Sequence, residues 1–449
     1  MVRAAWATGA LWLLACGHGE GAAAEQGSGD GSSGDATTAA SDASTGAEAS
    51  TAADDSSGGS DTGTAAGPTW AQDVAPILAA HCWSCHTDGG FAPFSLVDYD
   101  DAKPLAAGIA AISAAREMPP WPIDGTGACQ SYDDARWLAD DELATLAAWA
   151  DAGAPPGDLA AAPSPPSPPT LGTVASTITL PPYTPVAEPE HPFDDYRCFV
   201  VDTGLPDGGS MTAFEVRPGV VEQAHHIVMF SLEDDAAVQQ ALALQDEDAV
   251  PGYRCFGSAG VGSSRIVGAW TPGVPVVRYP EGTGVVLAPG RPIVVQMHYN
   301  FGQSGMLDAT AIDVQLGEGV TPLVPVIFVD SDLAIPPDVG DHVEESVTSF
   351  DGDAPVDLMA VFPHMHQIGR TMHVEIESAG GNACAADVPR YDFHWQEMYR
   401  YAAPVRLSPG DQVRLQCHFS SLGREGTTTW GEGSGDEMCA VVFFAQPAG

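Results

Sequence analysis

Val294-Val295-Gln296-Met297-His298-Tyr299 is a run of β-branched, thioether and aromatic residues with one imidazole set into it. Such a run, bounded by turn residues, reads as a strand. The pattern recurs downstream. Ile312-Asp313-Val314-Gln315-Leu316 and Val374-Glu375-Ile376 alternate apolar and polar residues, as a strand with one buried face requires. From about residue 177 onward, short runs of Val, Ile, Phe and Thr are separated by Gly, Pro and Asp turns. That texture predicts all-β, antiparallel jelly-roll or sandwich domains. A span of about 270 residues exceeds one small sandwich, so two domains are expected, over 181–310 and 311–449.

The imidazoles of this β region fall into three sets. The first is Ala224-His225-His226-Ile227-Val228-Met229-Phe230, the second Gln296-Met297-His298-Tyr299-Asn300, and the third Pro363-His364-Met365-His366. His364 and His366 are two apart, so on a strand both point to one face, as two ligands of one ion need. His225 and His226 point to opposite faces of a regular strand, and a bulge or strand end must turn one of them. Met438, in Asp436-Glu437-Met438-Cys439, offers a thioether. Neutral imidazoles with a thioether suit copper cycling between two oxidation states better than zinc. His373, His394 and His418 stand alone and read as structural.

This constellation resembles the copper type II, ascorbate-dependent monooxygenases, the family of the peptidylglycine α-hydroxylating and dopamine β-monooxygenases, over roughly residues 190–445. The resemblance implies two copper ions. His225, His226 and His298 would hold the electron-storing copper, and His364, His366 and Met438 the oxygen-activating one. It implies disulfides Cys198–Cys255 and Cys417–Cys439. It also implies insertion of one oxygen atom of O2 into a C–H bond, with two electrons from ascorbate or a protein donor. The peptide-amidating members carry an Arg two residues before His-x-His, and an Asn and a Tyr just after the Met-Cys pair; here Phe362, Ala440 and Val442 stand there. A pocket so lined is apolar and favours a small neutral or aromatic organic substrate.

Upstream lies a different composition. Cys82-Trp83-Ser84-Cys85-His86 is the C-x-x-C-H attachment sequence of c-type haem. Two thiols a helical turn apart reach the two vinyl groups, and the imidazole of His86 reaches the iron. Val74, Ile77 and Leu78 give a preceding helix an apolar face. Asp140 is expected to cap a later helix carrying Leu143, Leu146, Ala147 and Ala150, stopped by Gly153 and Pro155. Residues 69–156 thus look like a small all-α, class I cytochrome c domain holding one covalent haem. Met118 is the sixth iron ligand by elimination, since His81 adjoins the first attachment Cys. A Pro-rich linker, 157–180, joins this domain to the β region. The haem would then feed electrons to the three-His copper.

Met1-Val2-Arg3 followed by an apolar stretch reads as an export signal over 1–15. Leu13-Leu14-Ala15-Cys16 resembles a bacterial lipoprotein box, with Cys16 lipidated; an ordinary signal peptide with a chance Cys is the alternative. Residues 16–68, almost wholly Gly, Ala, Ser, Thr, Asp and Glu, bury too little apolar surface to fold and read as a disordered tether. The expected location is the periplasmic or cell-surface face of a bacterial membrane, attached through the lipid alone. The 449 residues include nine Cys. Once Cys16, Cys82 and Cys85 are set aside, an even six remain, as disulfides in an oxidising compartment require. Cys129 and Cys384 have no counterpart in the family; a bond between them would clamp haem domain to copper domain, and the sequence leaves that open. Sixty acidic against sixteen basic residues give a formal charge of −44, which excludes nucleic acid as a partner. A surface lipoprotein that binds copper and haem for electron transfer or metal handling, without hydroxylation, would carry the same ligands.

Overall fold

The computed structural model describes residues 67–449 apart from 89, 91, 134, 166–169, 188–192, 256, 302–304 and 432–434. The export signal, Cys16 and nearly all of the 16–68 tether lie outside the described residues. No helix among the described residues is long and apolar enough to cross a membrane.

The first part of the described chain is helical. A wide turn over Trp70–Val74 leads into the Ala75–His81 helix, whose early Pro76 gives up an N–H that needs no partner there. Short helices follow at Tyr99–Ala102 and Ala106–Ala114, then Asp140–Asp151. The last begins one residue earlier than expected. Ala139 is the cap, and Asp140 is the first helical residue. Glu142 supplies the capping carboxylate, accepting the Ala139 N–H at 2.8 Å. Gly153, at φ +79°, ends the helix in the left-handed conformation glycine takes freely. Trp70, Leu78, Trp83, Leu96, Leu146 and Trp149 form the core of this unit.

Two antiparallel sandwiches follow. In the first, a six-stranded sheet built on Gly209–Arg217 and Ala311–Gly317 faces a five-stranded sheet. That second sheet runs Tyr253–Arg254, Asp194–Val201, Ile293–Asn300, Ala224–Leu232, Ser264–Trp270. Phe199, Phe214, Ile227, Val295 and Ile312 fill the space between them. In the second sandwich, Val324–Asp330, Cys439–Pro447, Val356–Met365 and Tyr399–Leu407 form one sheet. His342–Ser349, Gln412–Phe419, Gly369–Ser378 and Gly381–Val388 form the other. The strands expected from Val294–Tyr299, Ile312–Leu316 and Val374–Ile376 are all present.

Three boundaries fall elsewhere than expected. The first sandwich runs past 310, because Ala311–Gly317 pairs along Gly209–Arg217 and buries Ile312 and Val314 in its core. It also begins within the expected 157–180 linker, where Ser176–Thr179 pairs with Ala311–Val314. Residues 121–133, inside the span read as a haem domain, pack on the second sandwich instead. Trp121, Ile123 and Tyr132 lie in its core, Tyr132 bridges to Tyr401, and Asp124 N–H donates to Asp387 O at 2.8 Å. An aromatic run read locally does not say which of two cores will bury it. The Asp235–Glu247 helix was not anticipated; Asp234 caps it by accepting the Ala237 N–H at 2.8 Å.

All three pairings among the six remaining cysteines are formed: Cys198–Cys255, Cys417–Cys439 and Cys129–Cys384. The last joins residues 255 apart in sequence and ties the 121–133 segment to the second sandwich. Closing so long a loop restricts the unfolded chain strongly, so replacing both with Ser should lower unfolding free energy by about 2–5 kcal/mol. Denaturant unfolding of C129S/C384S measures this; an unchanged midpoint would show that the noncovalent contacts suffice.

Candidate metal centres

The five-stranded sheet brings its first two histidine sets together. His226 and His298 are direct cross-strand partners, and the register between Ala224 and His226 slips by one residue. His225 is therefore the extra residue of a bulge, which turns its ring to the same side as its neighbour, as the two-ligand geometry demanded. His225 Nδ1 lies 3.2 Å from His226 Nδ1, and His298 Nδ1 lies 3.3 Å from the same atom. Three nitrogens each about 2.0 Å from a shared ion, in tetrahedral directions, would stand about 3.3 Å apart. The spacing is that of a metal cradle, and His225, His226 and His298 are the group among the described residues that meets the test for one.

The surroundings fix which nitrogen faces inward. His298 Nε2 meets Asp194 Oδ1 at 2.9 Å, and Asn300 donates to the same oxygen at 2.7 Å. Holding Nε2 as the N–H donor leaves the Nδ1 lone pair toward the cradle. Tyr196 stacks on His298 with ring centres 4.0 Å apart. His225 Nε2 is buried without a hydrogen-bond partner. Burial, helped by the nearby His394 ring, pushes His225 down to about 4. His226 is held well below the ordinary range by burial and by His298 and His225. Both are neutral at pH 7, the form that binds metal.

The third histidine set lies in the second sandwich. The rings of His364 and His366 are 5.1 Å apart, as the His-x-His spacing on a strand predicts. Here the nitrogens reverse roles. His364 Nδ1 donates to Gln396 Oε1 at 2.6 Å, leaving Nε2 as its lone-pair nitrogen, and His366 Nδ1 lies 3.3 Å from Asp436 O. Met365 pairs with Cys439, so the residues just beyond this last pair, His366 and Met438, leave the two strands side by side. The junction is held by Glu437, which is buried. Its carboxylate accepts the N–H of His366, of Ile368 at 3.1 Å and of Met438 at 2.9 Å. Burial nevertheless pushes its pKa up to about 7.

Phe362 pairs with Val442 and His364 with Ala440, so the three apolar residues sit on the strand that leads to His364 and His366 and on its neighbour, which follows Met438. Val442 packs against the core of the first sandwich, so it helps seal the contact between the halves rather than lining an open pocket.

In the helical unit, Cys82 and Cys85 are unpaired while the other described cysteines form disulfides. Burial pushes the Cys82 thiol up to about 12. His86 Nδ1 meets Phe94 O at 3.1 Å, which leaves Nε2 outward. His81 is turned away toward Glu142, at 3.1 Å. Met118 borders a small cavity with Arg116, Trp121 and Trp137, whereas Phe94, stacked near His86, borders a separate one of about 360 Å³ with Leu105.

Several neighbours of the histidines carry no sequence signal: Asp194, Gln396 and Glu437 are acids or amides in ordinary strand or loop contexts. His394, read as structural, lies 6.0 Å from His225 between ring centres. His373 and His418 are paired with Asp387 and Asp341 at 3.0 and 2.9 Å, as structural histidines would be.

Residues 326–445 match the family described as copper type II ascorbate-dependent monooxygenase, C-terminal domain, a family of oxidoreductases. The match includes His364, His366 and Met438. The chain is 24% identical over 277 residues to peptidyl-glycine alpha-amidating monooxygenase A of Xenopus laevis, covering 60% of this chain and 27% of that protein. It is 22% identical over 253 residues to tyramine beta-hydroxylase of Caenorhabditis briggsae, covering 52% and 41%. The chain thus spans less than half the length of these relatives. Among solved structures, the major capsid protein P2 of bacteriophage PM2 aligns at 7% identity over 57% of this chain and 98% of that one, with a TM-score of 0.25, too low to carry an argument.

Asp194 orients His298, and loss of such an outer partner typically weakens metal binding 10–100-fold. Asp194→Asn should lower the affinity of the three-His cradle for a metal ion by about that factor, read by chelator competition. Unchanged affinity would mean that Asp194 serves the strand alone.

Proposed function

We propose that the chain is an exported copper-dependent monooxygenase that places one oxygen atom of O2 into a C–H bond of a small organic substrate. The observation that supports it most is the convergence of His225, His226 and His298 on one point within a chain whose residues 326–445 match a copper monooxygenase family. In this reading His225, His226 and His298 hold one copper, and His364, His366 and Met438 the other. Bound copper would supply one-electron storage and oxygen activation. The donor sets fit: the first is all neutral imidazole with Nδ1 inward, and the second combines two imidazoles with a buried thioether.

The protein's own contribution is orientation and exclusion of water. Asp194 and Gln396 fix the two ring tautomers, and Glu437 holds three backbone N–H groups around His366 and Met438. Phe362 and Ala440 beside His364 offer no charged anchor, which favours a neutral or aromatic substrate over a peptide carboxylate. Ascorbate or a protein would be the electron donor.

The helical unit would carry one covalent haem on Cys82 and Cys85, with His86 on the iron. Both thiols are half-buried and unpaired, and the raised Cys82 thiol is a poor nucleophile for disulfide exchange, so attachment explains the pair better than redox cycling. Phe94, 4.6 Å from His86 between ring centres, and Leu105 are exposed apolar residues bordering one cavity of this unit, where a porphyrin would find apolar contacts. Met118, also exposed, remains the proposed sixth ligand. Lipidation at Cys16 would hold the chain to a bacterial membrane on its periplasmic or outer face.

The copper-loaded chain with ascorbate should consume O2 only when a small neutral or aromatic substrate is present, with one product per O2. His364→Ala should abolish that uptake, and Cys82→Ala/Cys85→Ala should remove haem while leaving both coppers. Uptake independent of substrate, or none with two coppers bound, would favour a metal-handling lipoprotein instead.

A further inference from the structure

Between the two histidine clusters lies one short segment, Asp392–Glu397, which connects the Gly381–Val388 and Tyr399–Leu407 strands. Phe393 stacks on His225 of the first cluster, with ring centres 4.7 Å apart and planes 28° from parallel. The same ring lies 6.1 Å from that of His366 in the second cluster. Three residues on, Gln396 is buried and accepts from His364 Nδ1 at 2.6 Å. Its amide is oriented in turn by donating to Phe393 O at 2.8 Å. Thr271, on the first sandwich, donates its hydroxyl to Gln396 O at 2.6 Å. Glu397 and Trp395 receive Arg136, the former as an ion pair and the latter across its ring face at 5.2 Å.

We propose that Asp392–Glu397 is a strut that sets the position of the two histidine clusters relative to each other. Phe393 is their shared wall, and Gln396 is a positioning residue for His364. This rests on the two-copper reading for its consequence, but the contacts themselves belong to the protein without metal. The physical case is one of constraint. His225 stands on a bulge at the start of a strand, and its Nε2 has no partner to orient it. A flat ring packed on its face supplies the restraint that a hydrogen bond would otherwise give. His364 has the opposite arrangement, a hydrogen bond to an amide that is itself held at both ends. Because both restraints come from one six-residue segment, and Thr271 ties that segment to the first sandwich, a shift of either cluster is transmitted to the other.

The test uses the full chain with histidine-selective isotope labelling. In the metal-free protein, Phe393→Leu keeps the apolar volume and removes the ring current. Its expected result is a shift of the imidazole resonances of both His225 and His366, with those of His373 and His418 unmoved. Gln396→Leu should shift the His364 ring nitrogens away from the Nδ1–H tautomer, and Gln396→Glu, which still accepts, should restore it. In the copper-loaded protein Gln396→Leu should weaken one copper by roughly 10–100-fold, and Phe393→Leu should change the dipolar broadening of the paired copper signals with both ions retained. If Phe393→Leu moves only one of the two imidazoles, or neither, the strut is overturned whether or not copper binds. A wild-type chain that binds fewer than two coppers defeats the two-copper reading alone, since the metal-free resonances still decide the strut.

Discussion

The two histidine clusters can meet only because one sheet of the second sandwich lies with an apolar face against the first. Ala360 and Phe444 belong to the same buried cluster as Phe199, Phe214 and Trp270, and Met359, Met398 and Val442 pack against it. Tyr279 meets Phe444 edge-on at 5.8 Å. Fully burying a side chain the size of Phe444 contributes roughly 1.5–3 kcal/mol. The strand that buries Ala360 goes on to present His364 and His366, and the strand that buries Phe444 begins beside Met438. Packing between the halves and placement of the second cluster are thus one constraint.

Within that frame, burial holds His225, His226 and His364 below the ordinary imidazole range, and His298, His364 and His366 each have one ring nitrogen against an oxygen. The penalty of removing a cationic imidazole from water explains why His225 and His226 fall so far below the usual range. The acids nearby act as acceptors for oriented N–H groups: Asp194 for a ring, Glu437 for three backbone amides. The two clusters differ in which nitrogen is held. The first keeps Nε2 of His298 occupied, and the second keeps Nδ1 of His364 and His366. A cradle built from inner nitrogens is compact, whereas one built from outer nitrogens extends from the strand and leaves room for a further ligand or substrate.

Much of this was legible in the sequence because the decisive residues report on local geometry. Period-two spacing put His364 and His366 on one face, and the adjacent pair His225-His226 demanded the bulge that the register shows. Strands with alternating patterns were readable for the same reason. What could not be read depended on which distant surface a residue meets. Trp121, Ile123 and Tyr132 have the composition of any small core, yet they join the second sandwich. Ile312 and Val314 alternate as a strand should, but alternation does not say which sheet receives it. Asp194, Gln396 and Phe393 are unremarkable in their own segments and acquire a role only where segments distant in sequence converge, 104 residues apart for Asp194 and His298 and 32 for Gln396 and His364. Met118 stands three residues before Trp121, which joins the core of the second sandwich, a placement that composition alone does not reveal.

The central claim is that six named side chains form two copper centres of different donor type. X-ray absorption at the copper edge of the reduced, copper-loaded chain tests it directly. The account predicts imidazole scattering from both ions together with a sulfur shell of one thioether per two coppers, lost in Met438→Leu. A spectrum with no sulfur shell, or one unchanged in that variant, would contradict it.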